Sequence, residues 1–137
     1  MKEFVIDAKQ ENFEAVLDFV YRELASVDCP ADTKTMIGVA VEEIFVNVAH
    51  YAYRQTGESG SVVIRVTVGD EVSIEFEDHG TPYNPLDKEA PDFNAPVESR
   101  KIGGLGIHMV KHFMDQVDYT YGDGTNKLTI KKALAVK

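Results

Sequence analysis

Val72-Ser73-Ile74-Glu75-Phe76-Glu77-Asp78 alternates apolar with polar residues until its last position, where an acid takes the apolar place. Side chains two apart on a strand share a face, so Val72, Ile74 and Phe76 point into a core and Asp78 follows them. A carboxylate in that row needs a hydrogen-bonding partner, because burying it alone is costly. The next residues, His79-Gly80-Thr81-Pro82, allow a sharp turn and bring no Lys or Arg. Either the turn's own backbone meets Asp78, as in an Asx-turn, or a ligand with a hydrogen-bond donor does.

Working outward, Val62, Ile64, Val66 and Val68 alternate in the same way ahead of Gly69-Asp70, so the two runs form an antiparallel hairpin with one buried face. Upstream, Phe4-Val5-Ile6 reads as a short strand. Phe13, Val16, Leu17, Val20 and Leu24 have helical spacing within residues 10–26, and Asp28-Cys29-Pro30 follows that helix. A second helix is expected from Ala31 to Tyr53, with residues 55–60 as a turn. Four of the five prolines fall between Pro82 and Pro96, and Tyr83 to Lys101 has neither helical nor strand period. Long unstructured loops inside compact domains are usually functional. After Gly103-Gly104-Leu105-Gly106, the residues Ile107, Val110, Phe113 and Met114 predict a third helix, and a closing hairpin turns at Gly122-Asp123-Gly124. The expectation is a single domain over residues 1–137 of the α+β class, an antiparallel or mixed sheet with about three helices on one face.

Composition narrows the ligand. Against 14 basic residues stand 23 acidic ones, a net charge of −9 that repels nucleic-acid backbones. No basic amphipathic stretch points to a membrane surface, and no run approaches the roughly 20 apolar residues of a membrane span. The start, Met1-Lys2-Glu3-Phe4-Val5-Ile6-Asp7, lacks the apolar run of a signal peptide. One cysteine, Cys29, permits no internal disulfide and fits a reducing compartment. A cytoplasmic location is expected.

Four places are able to carry chemistry. Glu43, Asn47 and His50 fall on one stripe of the second helix, beside the Val41, Ile44, Val48 stripe. A Glu and an Asn one turn apart suit Mg²⁺, which takes one or two protein oxygens and completes its shell with phosphate and water; a solvated helix face is the alternative. Asp78 with Gly80 is the second place. Gly103-Gly104-Leu105-Gly106 is the third, since glycines let a backbone approach an anion and a helix N-terminus offers N–H groups and partial positive charge. It matches neither a dinucleotide fingerprint nor a P-loop. Arg100 and Lys101, just ahead of it, are basic residues that a phosphate would meet. Gly124-Thr125-Asn126 is the fourth, with a plain hairpin turn as its alternative.

In chain order, Glu43-Ile44-Phe45-Val46-Asn47, Asp78-His79-Gly80-Thr81-Pro82, a long loop, Gly103-Gly104-Leu105-Gly106 and Gly124-Thr125-Asn126-Lys127-Leu128 resemble the N, G1 and G2 boxes of the GHKL ATP-binding superfamily. The resemblance covers about residues 10–132 and is to its small stand-alone branch of anti-sigma factor serine/threonine kinases. It implies the Bergerat ATP-binding fold, an α/β sandwich with an ATP lid over residues 83–101. It implies ATP and Mg²⁺ as cofactors, with Asn47 on the metal and Glu43 as general base. It places Asp78 on the adenine amino group and Gly80 at the turn beside the base. Gly104, Leu105, Gly106 and Ile107 fall near the phosphates with Arg100 and Lys101, and Thr125 supports the adenine through Asp78 or water. The implied activity is phosphoryl transfer from ATP to a serine or threonine of an anti-sigma-factor antagonist. A module that captures a sigma factor in a nucleotide-dependent way, without phosphotransfer, is the alternative. A homodimer is compatible with the branch. One departure concerns His50, which comes one position early for the branch's His-Ala-Tyr; a core or supporting histidine is expected rather than a catalytic one.

Overall fold

The computed structural model describes residues 1–53, 60–87 and 104–134. Arg100, Lys101, Gly103, most of the turn expected at 55–60 and the larger part of the expected lid lie outside the described residues. Five strands, β1 (Lys2–Asp7), β2 (Ser61–Val68), β3 (Glu71–Asp78), β4 (Gln116–Gly122) and β5 (Thr125–Ala133), form one sheet in the order β1-β2-β3-β5-β4. Every neighbouring pair is antiparallel, so among the described residues the sheet takes the antiparallel one of the two expected arrangements. Three helices, α1 (Phe13–Leu24), α2 (Ala31–Tyr51) and α3 (Gly104–Phe113), accompany it.

Alternation decides which face the helices cover. Val62, Ile64 and Val66 of β2, Val72, Ile74 and Phe76 of β3, and Leu128 and Ile130 of β5 are buried. They pack in one core with Val16, Val20 and Leu24 of α1, Ile37, Val41, Ile44 and Phe45 of α2, and Ile107 and Val110 of α3. The other face of the sheet is polar. The register sets Arg65 opposite both Glu3 and Glu75. Its guanidinium donates to Glu3 at 2.8 Å, Glu75 at 2.9 Å and Glu77 at 3.0 Å. Burial alone would push the Glu77 carboxyl up, but Arg65 and Lys127 outweigh it and hold that group below its ordinary value.

The hairpin between β4 and β5 turns on Asp123 and Gly124, both at positive φ, 54° and 73°. Two such residues in a row make the two-residue turn that matches strand twist, and Asp and Gly are the residue types that tolerate it. Chain reversal there slides β5 between β3 and β4, bringing residues 126–130 beside the Asp78 strand.

α2 stops at Tyr51, two residues before the expected end. Its terminal carbonyl, that of Ala52, accepts the N–H of Thr81 at 2.7 Å, so the turn after β3 caps the helix. The fit is close: a Cβ on Gly80 would stand 1.9 Å from the Ala52 oxygen. Alongside, the Tyr53 hydroxyl donates to the Ser61 carbonyl at 2.6 Å and accepts the His79 N–H at 3.1 Å. The end of α2 and the end of β3 are thus fastened to each other, which fixes the site described next.

Candidate functional site

Between α2 and the inner face of β3 and β5 lies a cleft of about 380 Å³ of empty space, lined by Ile44, Asn47, Phe76, Asp78, Tyr119 and Asn126 among others. Apolar walls with a few polar groups are the usual composition of a small-molecule site. Asp78 is 5% exposed and sits where the apolar row of β3 ends. Its Oδ1 accepts the Gly80 N–H and an N–H of the Asn126 amide, both at 2.9 Å. The Asx-turn alternative is met by one oxygen, while Oδ2 has no hydrogen-bond partner among the described residues and belongs to a cavity-lining side chain, with room for a ligand donor. Among those residues no Lys or Arg pairs with it. Burial lifts this carboxyl above the ordinary aspartate value, and the bonds from Asn126 and Gly80, with the nearby His79 ring, offset that only in part.

On the opposite wall α2 contributes Asn47, buried at 7% exposure, whose Nδ2 has no hydrogen-bond partner among the described residues. A buried orphan amide beside a cavity calls for a polar ligand. Either end of it is useful, the N–H to a phosphate oxygen or the carbonyl, with the amide turned over, to a cation; the residue fits a Mg²⁺–phosphate group. Glu43, one turn earlier, does not line the cleft. Its carboxylate lies over the first turn of α3, where a Cβ on Gly106 would stand 1.9 Å from Oε2. That first turn, Gly104 to Ile107, presents backbone N–H groups without intrahelical acceptors and the positive end of the helix dipole. The structure thus brings Asp78 and Asn47 to one cleft, and Glu43 to the first turn of α3.

Gly106→Ala tests that placement. The clashing atoms belong to a flexible side-chain tip, so the fold should lose less than about 1 kcal/mol while the Glu43 carboxylate is displaced. The unfolding midpoint in thermal denaturation should stay within about 4 °C of wild type, and a larger fall would show that the Glu43 side chain does not move aside.

The structure narrows two expectations. Thr125 makes no direct bond to Asp78, because it projects to the other side of β5 with its hydroxyl 3.2 Å from His79 Nδ1, so of its two expected routes to the adenine only the one through water is compatible. Asn126, next along the strand and directly opposite Asp78 in the register, takes that place. Period-two alternation counted back from Ile130 and Leu128 would have found it. His50 is exposed and pairs with Gln10 Oε1 at 3.1 Å, so it is not a core histidine. Two further aromatic residues gave no signal in the sequence: Tyr83 stacks on Tyr51 with ring centroids 4.7 Å apart, and Tyr119 donates its hydroxyl to the Asn126 carbonyl oxygen.

Residues 6–132 match the histidine kinase-like ATPase domain. The chain belongs to that family. The family implies ATP binding, and the likeness extends along nearly the whole chain in the anti-sigma F factor of Pasteuria penetrans, 30% identical over 138 residues, spanning 97% of this chain and 89% of that protein. The serine-protein kinase RsbW of Listeria monocytogenes is 24% identical over 98 residues, 68% of this chain and 62% of its own. The serine/threonine-protein kinase BtrW of Bordetella bronchiseptica is 33% identical over 60 residues, 44% of this chain and 42% of its own. The chain therefore spans less than two thirds of either kinase. Among solved structures, the RsbU and RsbW domains of a Mycobacterium tuberculosis protein superpose with a TM-score of 0.68 at 16% identity, over 100% of this chain and 34% of that one. This shared fold is the antiparallel sheet with helices on one face expected of a histidine kinase-like ATPase domain.

Proposed function

We propose that this histidine kinase-like ATPase domain binds ATP with Mg²⁺ and transfers the γ-phosphoryl group to a serine or threonine of a small protein partner, an anti-sigma-factor antagonist. The observation that carries the reading is Asp78, a buried acid at a cavity wall with one oxygen committed to the fold and no Lys or Arg paired with it among the described residues. Adenine offers the matching group, an exocyclic N–H whose donation to Oδ2 satisfies the carboxylate without neutralising it. The likeness to serine/threonine-protein kinases and to an anti-sigma F factor supports the acceptor class, and a cytoplasmic homodimer fits the same reading. No described helix is long and apolar enough to cross a membrane.

In this reading the cleft between α2 and β3 orients the base and sugar, so that the phosphates run toward α3. The Asn47 side chain and the N–H groups of Gly104, Leu105, Gly106 and Ile107 hold phosphate oxygens, and Arg100 and Lys101 add positive charge. Asn47 is the residue that would hold Mg²⁺, which when bound would supply charge neutralisation on the transferring group. The acceptor hydroxyl oxygen forms a bond to the γ-phosphorus as the bond to the β–γ bridging oxygen breaks, and ADP leaves. Glu43 orients that hydroxyl and takes its proton. Because the transition state is loose, alignment and electrostatics contribute more than covalent chemistry.

Two variants separate the roles. Asn47→Ala should weaken Mg·ATP binding by at least about tenfold, because it removes a contact to metal and phosphate. Glu43→Ala should keep ATP affinity and lose about a hundredfold or more in transfer, the size of a general-base contribution. Calorimetry with Mg·ATP, and radiolabelled ATP with an antagonist partner, read the two effects. Equal loss of binding in both variants would remove Glu43 from the base role. Wild-type binding without transfer to any partner would leave a nucleotide-dependent binding module.

A further inference from the structure

Asn126 is 5% exposed and faces Asp78 across the β3–β5 pair. Its Nδ2 donates to Asp78 Oδ1 at 2.9 Å, to the Thr81 carbonyl at 3.0 Å and to the Gly80 carbonyl at 3.3 Å. Its Oδ1 accepts the Tyr83 N–H at 3.3 Å and the Tyr119 hydroxyl. Acceptors on one side and donors on the other fix the sense of the amide, since turning it over would set an oxygen against a carboxylate and two carbonyls. Two N–H groups already serve three acceptors, and both carbonyl lone pairs are taken. Nothing on this side chain remains for a ligand.

Its effect therefore passes through Asp78. Together with the Gly80 N–H, the Asn126 amide fills both lone-pair positions of Oδ1, and Oδ2 is left to face the cleft alone. A carboxylate with two open oxygens accepts a fork of parallel N–H groups. Guanine carries such a fork in its N1–H and 2-amino group, whereas adenine presents one N–H of its 6-amino group beside the acceptor N1. We propose that Asn126 is a positioning residue that closes one oxygen of Asp78 and thereby makes this site select a 6-aminopurine over a 2-amino-6-oxopurine. The proposal rests on the nucleotide-binding reading above and adds the residue that sets base choice. Asn126 also ties Gly80, Thr81 and Tyr83 to β5, so the same amide keeps the turn after β3 from drifting away from the pocket.

The test is the ratio of ATP to GTP affinity, measured by calorimetry with Mg²⁺ for the wild type and three variants. Asn126→Ala removes the donor to Oδ1 and should lower the ATP:GTP preference by roughly tenfold, the worth of one charge-assisted hydrogen bond. Asn126→Ser opens a space of similar size but returns a hydroxyl donor, and it should hold the preference within about threefold of wild type. A role in packing alone moves these two variants equally and weakens both nucleotides together. Asn126→Asp keeps the size and shape while exchanging the donor for an acceptor; it should lose the preference as the alanine variant does, and it carries the test if that variant does not fold. An unchanged ratio in the alanine or aspartate variant, or equal losses with serine and alanine, overturns the proposal. Wild-type protein that binds neither nucleotide overturns the nucleotide reading beneath it, a result distinct from binding ATP with a ratio indifferent to residue 126.

Discussion

Gly80→Ala is expected to lower the stability of the protein by about 3 kcal/mol, the upper end of what an extra methylene costs in a tightly packed site. An added Cβ at this position meets backbone and not a movable side chain: it would stand 1.9 Å from the Ala52 carbonyl oxygen, 2.3 Å from its carbon and 2.7 Å from its Cα. Relief requires the turn after β3 to separate from the end of α2. That separation breaks the Thr81 N–H bond to the Ala52 carbonyl and strains the His79 bond to the Tyr53 hydroxyl. In a domain of this size the loss corresponds to a fall in unfolding temperature of roughly 10 °C. ATP affinity should drop as well, because Gly80 donates one of the two bonds that orient Asp78, and Asn47 lies on the helix that moves. A shift of less than about 2 °C in thermal denaturation would show that the contact between these elements is softer than its geometry implies.

Gly106→Ala should behave in the opposite way although the clash distance is the same, since the atom met there is the end of the Glu43 side chain. The contrast follows from what each glycine faces. Gly80 sits against a helix terminus that cannot yield without losing its cap, and Gly106 sits against the far end of a side chain and not against backbone.

Much of the architecture was legible because each element carries its own period. The alternation in β2 and β3, the helical spacing of α1 and the Asp123-Gly124 turn are local signals, and the structure places an element at each. Asp78 was legible for the same reason, as an acid in an apolar row. What stayed hidden depends on pairing between distant segments. Asn126 bonds Asp78 across 48 positions of sequence, and only the register of β3 with β5 brings them together. Thr125 and Asn126 are neighbours in the chain but face opposite sides of a strand, so a motif matched by residue order does not tell which one meets the carboxylate. The end of α2 was misjudged by two residues because its stop signal, the Thr81 N–H, arrives from another element. His50 shares a helical stripe with Glu43 and Asn47, yet near the end of α2 that stripe emerges from the core, and the ring pairs with Gln10 at the surface.

Asp78→Asn is expected to lower ATP affinity roughly a hundredfold while making the ligand-free protein more stable at pH 7. The first effect is a reversal of polarity. An asparagine here keeps its Oδ1 under the Gly80 N–H and the Asn126 amide, and so turns an N–H donor into the cleft where Oδ2 had been. A donor now faces the donor of the 6-amino group, and a charge-assisted bond is lost with a clash added. GTP, whose 6-oxo group accepts, should lose far less. The second effect comes from the charge. Burial raises the Asp78 carboxyl above its ordinary 3.8, so the folded protein holds this proton more tightly than the unfolded chain does. Below 3.8 both states are protonated and the stabilising effect of that tighter binding is fully present; as pH rises through the raised value the effect is lost. Asparagine removes this loss, so the stability curves of variant and wild type should run parallel at low pH and separate in favour of the variant as Asp78 ionises. Denaturant unfolding at a series of pH values, paired with nucleotide calorimetry, measures both effects on the same two proteins. An asparagine variant less stable than wild type at pH 7, with ATP affinity kept, would mean that Asp78 serves the fold and not a ligand. The opposite pairing is what a functional acid leaves behind: a group that the empty fold holds at a cost and that only the bound base makes use of.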